Sequence, residues 1–100
     1  MEEKINRVKA GSAVYVRDET RHPATDALFT PDTGVIHTVI DKEGTEKITD
    51  VALVELSTGV WEVTDQTATD WVKGMYTVIY EATHLGKVSI REDKNAFELY

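Results

Sequence analysis

Three histidines, a scatter of loop carboxylates and two tryptophans are the side chains best suited to chemistry in this 100-residue chain. His22, His37 and His84 stand far apart, with no His-x-His or His-x-x-x-His spacing. A zinc site needs three or four converging ligands, so none is expected, although His22 and His84 could meet in space. The acids Asp18-Glu19, Asp32, Asp41-Lys42-Glu43-Gly44, Asp65 and Asp70 fall in turn-like stretches. None follows the Asp-x-Asp-x-Asp-Gly order of a calcium loop, and Asp and Gly in turns serve the backbone first. Nucleophilic chemistry has less to start from: there is no cysteine and no Gly-x-Ser-x-Gly. The six glycines are spread singly, so no loop is shaped to cradle phosphate. Paired carboxylates for glycoside chemistry would need a cleft. No catalytic residue, cofactor or metal is therefore expected, and the chain reads as a protein without enzymatic activity.

The remaining candidates are surfaces. An exposed tryptophan can stack on a sugar ring, and aromatic anchors mark interfaces. Tryptophan is also buried on average. Trp61 is read as core, while Trp71 is open to either role. Trp71, with Phe29, His22 and His84 from loops, makes up the candidate interaction surface. His37 lies within a strand pattern and is read as a satisfied, half-buried side chain. If fully buried, it would be expected to lower stability at low pH, because charging a buried imidazole is costly.

The elements that must position these residues are strands. Gly74 to Ala82 is the longest strand signal, and period-two alternation puts Tyr76, Val78, Tyr80 and Ala82 on one face, read as the core face. Tyrosines in a core need partners for their hydroxyls. Ala13–Arg17, Val35–Asp41, Thr45–Ile48, Val51–Leu56, Val60–Thr64, Val88–Arg91 and Phe97–Tyr100 read as further strands. Lys42-Glu43-Gly44, Ser57-Thr58-Gly59 and Leu85-Gly86-Lys87 are turns between them. The stretch from Asp18 to Gly34 holds both prolines and is long for a connection, as functional or edge-covering loops are; Ala27-Leu28-Phe29 within it is expected to tuck under the rim. About seven or eight short strands with turn signals every ~8–12 residues point to an all-β sandwich. Residues 1–11 are polar and read as a flexible N-terminal arm; residues 12–100 form the single domain.

Composition narrows the partners. Eighteen acidic against eleven basic residues give a net charge of −7. That argues against nucleic acid, which demands clustered Lys and Arg, and against an anionic membrane. No apolar run approaches the ~20 residues of a membrane helix, and Met1–Ala10 lacks the apolar core of a signal peptide. Synthesis in the cytoplasm is expected, unless a leader was removed.

Several turn and core motifs carry a resemblance. They are His22-Pro23-Ala24-Thr25-Asp26-Ala27-Leu28, Pro31-Asp32-Thr33-Gly34-Val35, Asp41-Lys42-Glu43-Gly44, Thr58-Gly59-Val60-Trp61 and Gly74-Met75-Tyr76-Thr77-Val78. On these, residues 12–100 resemble immunoglobulin-like β-sandwich domains found in phage and prophage particle proteins, bacterial surface proteins and macroglobulin-type domains. The resemblance implies two antiparallel sheets with Greek-key connections and a structural, protein-interacting role. The expected role is a virion component of head, neck or tail, whose partners are other virion proteins or copies of itself. A carbohydrate- or ligand-binding module of a bacterial surface protein is the alternative. Such domains share no catalytic residues, so none is carried over. His37 stands where an aliphatic residue is usual, and Asp26 where glycine is common. In many such sandwiches a tyrosine placed like Tyr76 hydrogen-bonds back to the preceding crossover, here Asp65–Trp71.

Overall fold

The computed structural model describes residues 6–100. Eight strands are present among them and no helix: β1 (Arg7–Val8), β2 (Ala13–Glu19), β3 (Val35–Ile40), β4 (Glu46–Ala52), β5 (Val54–Ser57), β6 (Val60–Gln66), β7 (Gly74–His84) and β8 (Lys87–Leu99). They form two sheets, ordered β1-β8-β7-β3-β4 and β2-β6-β5. Neighbouring strands are antiparallel except β1 and β8. The chain changes sheet between β1 and β2, β2 and β3, β4 and β5, and β6 and β7.

Alternation builds the core. On β2, Val14, Val16 and Asp18 point inward while Tyr15 and Arg17 face water. Val35, His37 and Val39 point inward from β3, Tyr76, Val78 and Tyr80 from β7, and Phe97 and Leu99 from β8. Trp61 fills the centre of the smaller sheet's inner face. An aromatic stack runs from Trp71 through Tyr76 to Phe97, with centroids 5.9 and 5.0 Å apart. The Tyr76 hydroxyl donates to the Val72 carbonyl oxygen at 2.7 Å, just past the crossover stretch. Burial, with the charges of Asp41 and Glu43 beside it, pushes its phenol above the usual tyrosine pKa. Tyr76→Phe is expected to cost about 1 kcal/mol in urea unfolding, the net worth of one buried hydrogen bond; a variant as stable as the parent would show that the bond contributes nothing.

Three readings of the sequence need correction. Residues 1–5 of the expected arm lie outside the described residues. From Asn6 on, however, the chain packs on the domain: Arg7–Val8 runs parallel to Glu98–Leu99, and Val8 is buried in the core. Second, the strand break expected between Ile48 and Val51 lies at Leu53. Asp50 takes a positive φ of 52° inside β4, where the register with β3 slips, so the strand bulges there without ending. Leu53 alone separates β4 from β5; its side chain is buried and its amide donates to the Val35 carbonyl at 2.9 Å. Third, Asp93-Lys94-Asn95 does not divide the last strand. It forms an irregularity within β8, with Asn95 at φ 57°, where four residues of β8 span two of β7.

The long connection is a small lobe. The Arg21–Leu28 bridge closes it, the Asp26 amide donates to His22, and Asp26 adopts φ 61°. Asp tolerates that left-handed backbone through local hydrogen bonding.

Candidate interaction surface

His37 is the most enclosed polar side chain, 1% exposed, and both of its ring nitrogens face acceptors. Nδ1 lies 2.7 Å from the Val51 carbonyl oxygen on β4, and Nε2 lies 2.7 Å from Asp65 Oδ2 on β6. Protonated on both nitrogens, the ring donates to both acceptors and links the two sheets as an imidazolium. Burial pulls the imidazole's pKa down. The hydrogen bond to Asp65, the Val51 carbonyl and the carboxylate's charge outweigh that and hold it above the ordinary histidine value. The expectation of instability at low pH is therefore reversed: a paired, buried imidazolium is stabilising when charged. The pair is closed to solvent.

A second buried acid, Asp18 on β2, accepts from Arg91 Nε of β8 at 2.7 Å and ties the sheets together at the opposite end of that strand's inner row. The Arg91 guanidinium also lies 4.4 Å over the Tyr80 ring, a favourable cation–π geometry. The Tyr80 hydroxyl donates to the Arg17 carbonyl at 3.1 Å. Burial pushes the Tyr80 phenol well above its usual pKa, with Arg91 pulling it partly back.

Beside this group opens a cleft of about 180 Å³. Phe29 and Pro31 of the lobe, Tyr80 and His84 of β7, and Ile90 and Arg91 of β8 form its walls. Two of the four candidate surface residues, Phe29 and His84, line it, and His22 packs against Phe29 outside it. Phe29 stands edge-on between His22 and His84, with centroids 6.0 and 5.0 Å away. The lobe is held to the tip of β7: the Thr83 amide donates to Thr33 Oγ1 at 3.0 Å, the Leu85 amide to Asp32 Oδ2 at 2.9 Å. His84 Nδ1 is 3.2 Å from Asp32 Oδ1 but out of hydrogen-bonding alignment. Trp71, the fourth, lies elsewhere, on the β6–β7 crossover, stacked on Tyr76. Tyr76, Val78, Tyr80 and Trp61 are all buried.

Arg91 is engaged by Asp18, and His22 Nδ1 accepts from the Ala24 amide at 3.2 Å. Ser89 lines the cleft, yet among the described residues no hydrogen bond joins it to His84. No group of three or more His, Asp or Glu side chains placed to hold a metal occurs among the described residues. Asp41 Oδ1 is spent on the amides of Glu43 and Thr45, at 2.8 and 3.0 Å, closing its own turn.

What does stand out is apolar surface on the β7–β8 hairpin. Leu85 is 77% exposed, Ile90 67% and Val88 58%. The chain matches no family model, no curated protein and no solved structure.

Sequence reasoning overlooked Asp18 and Asp65 as interior groups. A signal existed: each continues an inward alternation, Val14-x-Val16-x-Asp18 and Trp61-x-Val63-x-Asp65. An acid on an inward row must find a partner, and a histidine on the facing inner row was available.

Proposed function

We propose that the chain is an immunoglobulin-like protein-interaction module without enzymatic activity, serving as a structural component of a phage or prophage particle. The single observation that carries the interaction role is the β7–β8 hairpin, braced by the lobe, on which Leu85, Val88 and Ile90 are exposed. Apolar side chains grouped on a braced element mark a docking surface. The immunoglobulin-like reading draws support from the strand orders β2-β6-β5 and β8-β7-β3, which parallel the two sheets of that fold, and from the Tyr76–Val72 bond at the start of β7. The particle role comes from the resemblance of the turn motifs. The net charge of −7 keeps free subunits soluble before assembly.

No observation favours the carbohydrate alternative. Trp61 is 5% exposed, and Trp71 gives one ring face to Tyr76.

Mass spectrometry of particles purified after prophage induction of the source strain tests the reading. The chain is expected at a stoichiometric copy number. Expression in the cell with absence from the particles would overturn the particle role. Leu85→Asp is expected to leave the fold intact and to reduce cross-linking to neighbouring subunits several-fold, because it puts a charge on the exposed apolar hairpin tip.

A further inference from the structure

We propose that β8 pairs edge to edge with β8 of a second copy of this chain, antiparallel, with Ile90 on the two-fold axis. This builds on the reading of the chain as an interaction module and names its partner.

The edge is open. β8 is hydrogen-bonded to β7 along one side, whereas β1 covers its other side only at Glu98 and Leu99. From Lys87 to Asp93 that second side has no partner strand among the described residues. Leu85 and Gly86, at φ 51° and 72°, make a two-residue type I′ turn. In such a turn His84 and Lys87 are the hydrogen-bonded pair, and pairs then alternate along the ladder. Thr83, opposite Val88, accordingly turns its amide and carbonyl away from β8, to Thr33. By the same parity Val88, Ile90 and Glu92 direct their amides and carbonyls outward, off the open edge.

Charge selects one register. With Ile90 opposite Ile90, Val88 faces Glu92, Ser89 faces Arg91 and Lys87 faces Asp93. Every outward backbone group then meets another, and the Lys87–Asp93 pair forms twice. A slip by one pair toward the turn opposes Arg91 to Lys87. A slip the other way opposes Arg91 to Arg91, and a further one opposes Glu92 to Glu92. Like charges directly opposite are destabilising. In the favoured register Ile90, 67% exposed, packs on its own copy and extends the Ile36–Glu81–Ile90 row of the outer face across both subunits. An open strand edge presents unpaired backbone amides and carbonyls; closed two-fold pairing satisfies them.

Sedimentation equilibrium from about 1 μM to about 1 mM reads the outcome, because an edge contact of this size falls in that affinity range. The parent is expected to dimerise. Ile90→Pro removes only an outward amide and should abolish the dimer while leaving the hairpin ladder in place. Ile90→Lys sets two ammonium groups at the axis and should do the same, and it decides the matter if the proline variant fails to fold. Lys87→Asp should weaken the dimer, and Lys87→Asp with Asp93→Lys should restore it. A monomeric parent, or a dimer that survives both Ile90 variants, overturns the proposal. Either result leaves the particle reading to the mass spectrometry, which answers it separately.

Discussion

His37→Ala is expected to destabilise the protein by about 3–5 kcal/mol in urea unfolding, the usual cost of stranding one partner of a buried ion pair. Asp65 is buried on the inner face of β6, and His37 is the one side chain hydrogen-bonded to its carboxylate among the described residues. Asp65→Ala should cost a similar amount, since it leaves the imidazole with burial and without its counter-charge. The double variant His37→Leu/Asp65→Leu should recover most of the loss, because apolar side chains fill the space without any charge to desolvate. Two single losses that simply added in the double variant would show the groups to be uncoupled. The pH dependence has a definite sign. The folded state holds the His37 pKa above the unfolded value of about 6.5. Its contribution is therefore fully present below about pH 6.5 and is lost as pH rises through the folded value. Parent stability measured against the double-leucine variant from about pH 5 to about pH 9 should fall on the alkaline side; a difference that grew with pH would overturn the assignment of a charged imidazole.

Gly59→Ala is the second large effect, expected at about 2–4 kcal/mol. Gly59 sits at φ 74° in the β5–β6 turn, and a Cβ there would lie 2.8 Å from the Phe29 amide nitrogen and 2.9 Å from the Thr20 carbonyl oxygen. Both obstacles are backbone, so neither can swing aside. Those same groups anchor the lobe: the Thr20 amide donates to the Gly59 carbonyl, the Phe29 amide to the Thr20 carbonyl, and Trp61 Nε1 to Thr20 Oγ1. Hydrogen exchange at the Thr20 and Phe29 amides should accelerate in the variant, and the Phe29 side of the cleft should loosen with it. Gly44→Ala is the control. It has a similar φ of 85° with nothing within 4 Å of the added carbon, and should cost only about 1–2 kcal/mol from backbone strain. Equal losses at both sites would mean that the close approach at Gly59 carries no weight.

Much of the fold was legible because a strand writes its own sidedness. Val14 and Val16, and Tyr76, Val78 and Tyr80, alternate with residues that face outward, and period two leaves little choice about which row is buried. The turns at Asp41–Gly44 and Thr58–Gly59 were legible for a similar reason: their backbone demands particular residue types. Less local features were hidden. The break at Leu53 depends on a bulge at Asp50 that only pairing with β3 creates. The placing of Arg7–Val8 depends on an open edge of β8 91 residues later in the chain.

The candidate surface divides in the same way. His22, Phe29 and His84 could be named from residue type and loop position, yet the packing of Phe29 between the two histidines required the lobe to fold against the tip of β7. Trp71 was named beside them and lies elsewhere. The sequence by itself determined the all-β class, the inward rows and the turns, since each follows from interactions between residues close along the chain. Tertiary structure alone decided that His37 would face Asp65, that Asp18 would hold Arg91, and that one side of β8 would be left open. Each of these depends on which strands lie face to face or side by side, and that is settled by burying the whole set of inward rows together, not by any one of them.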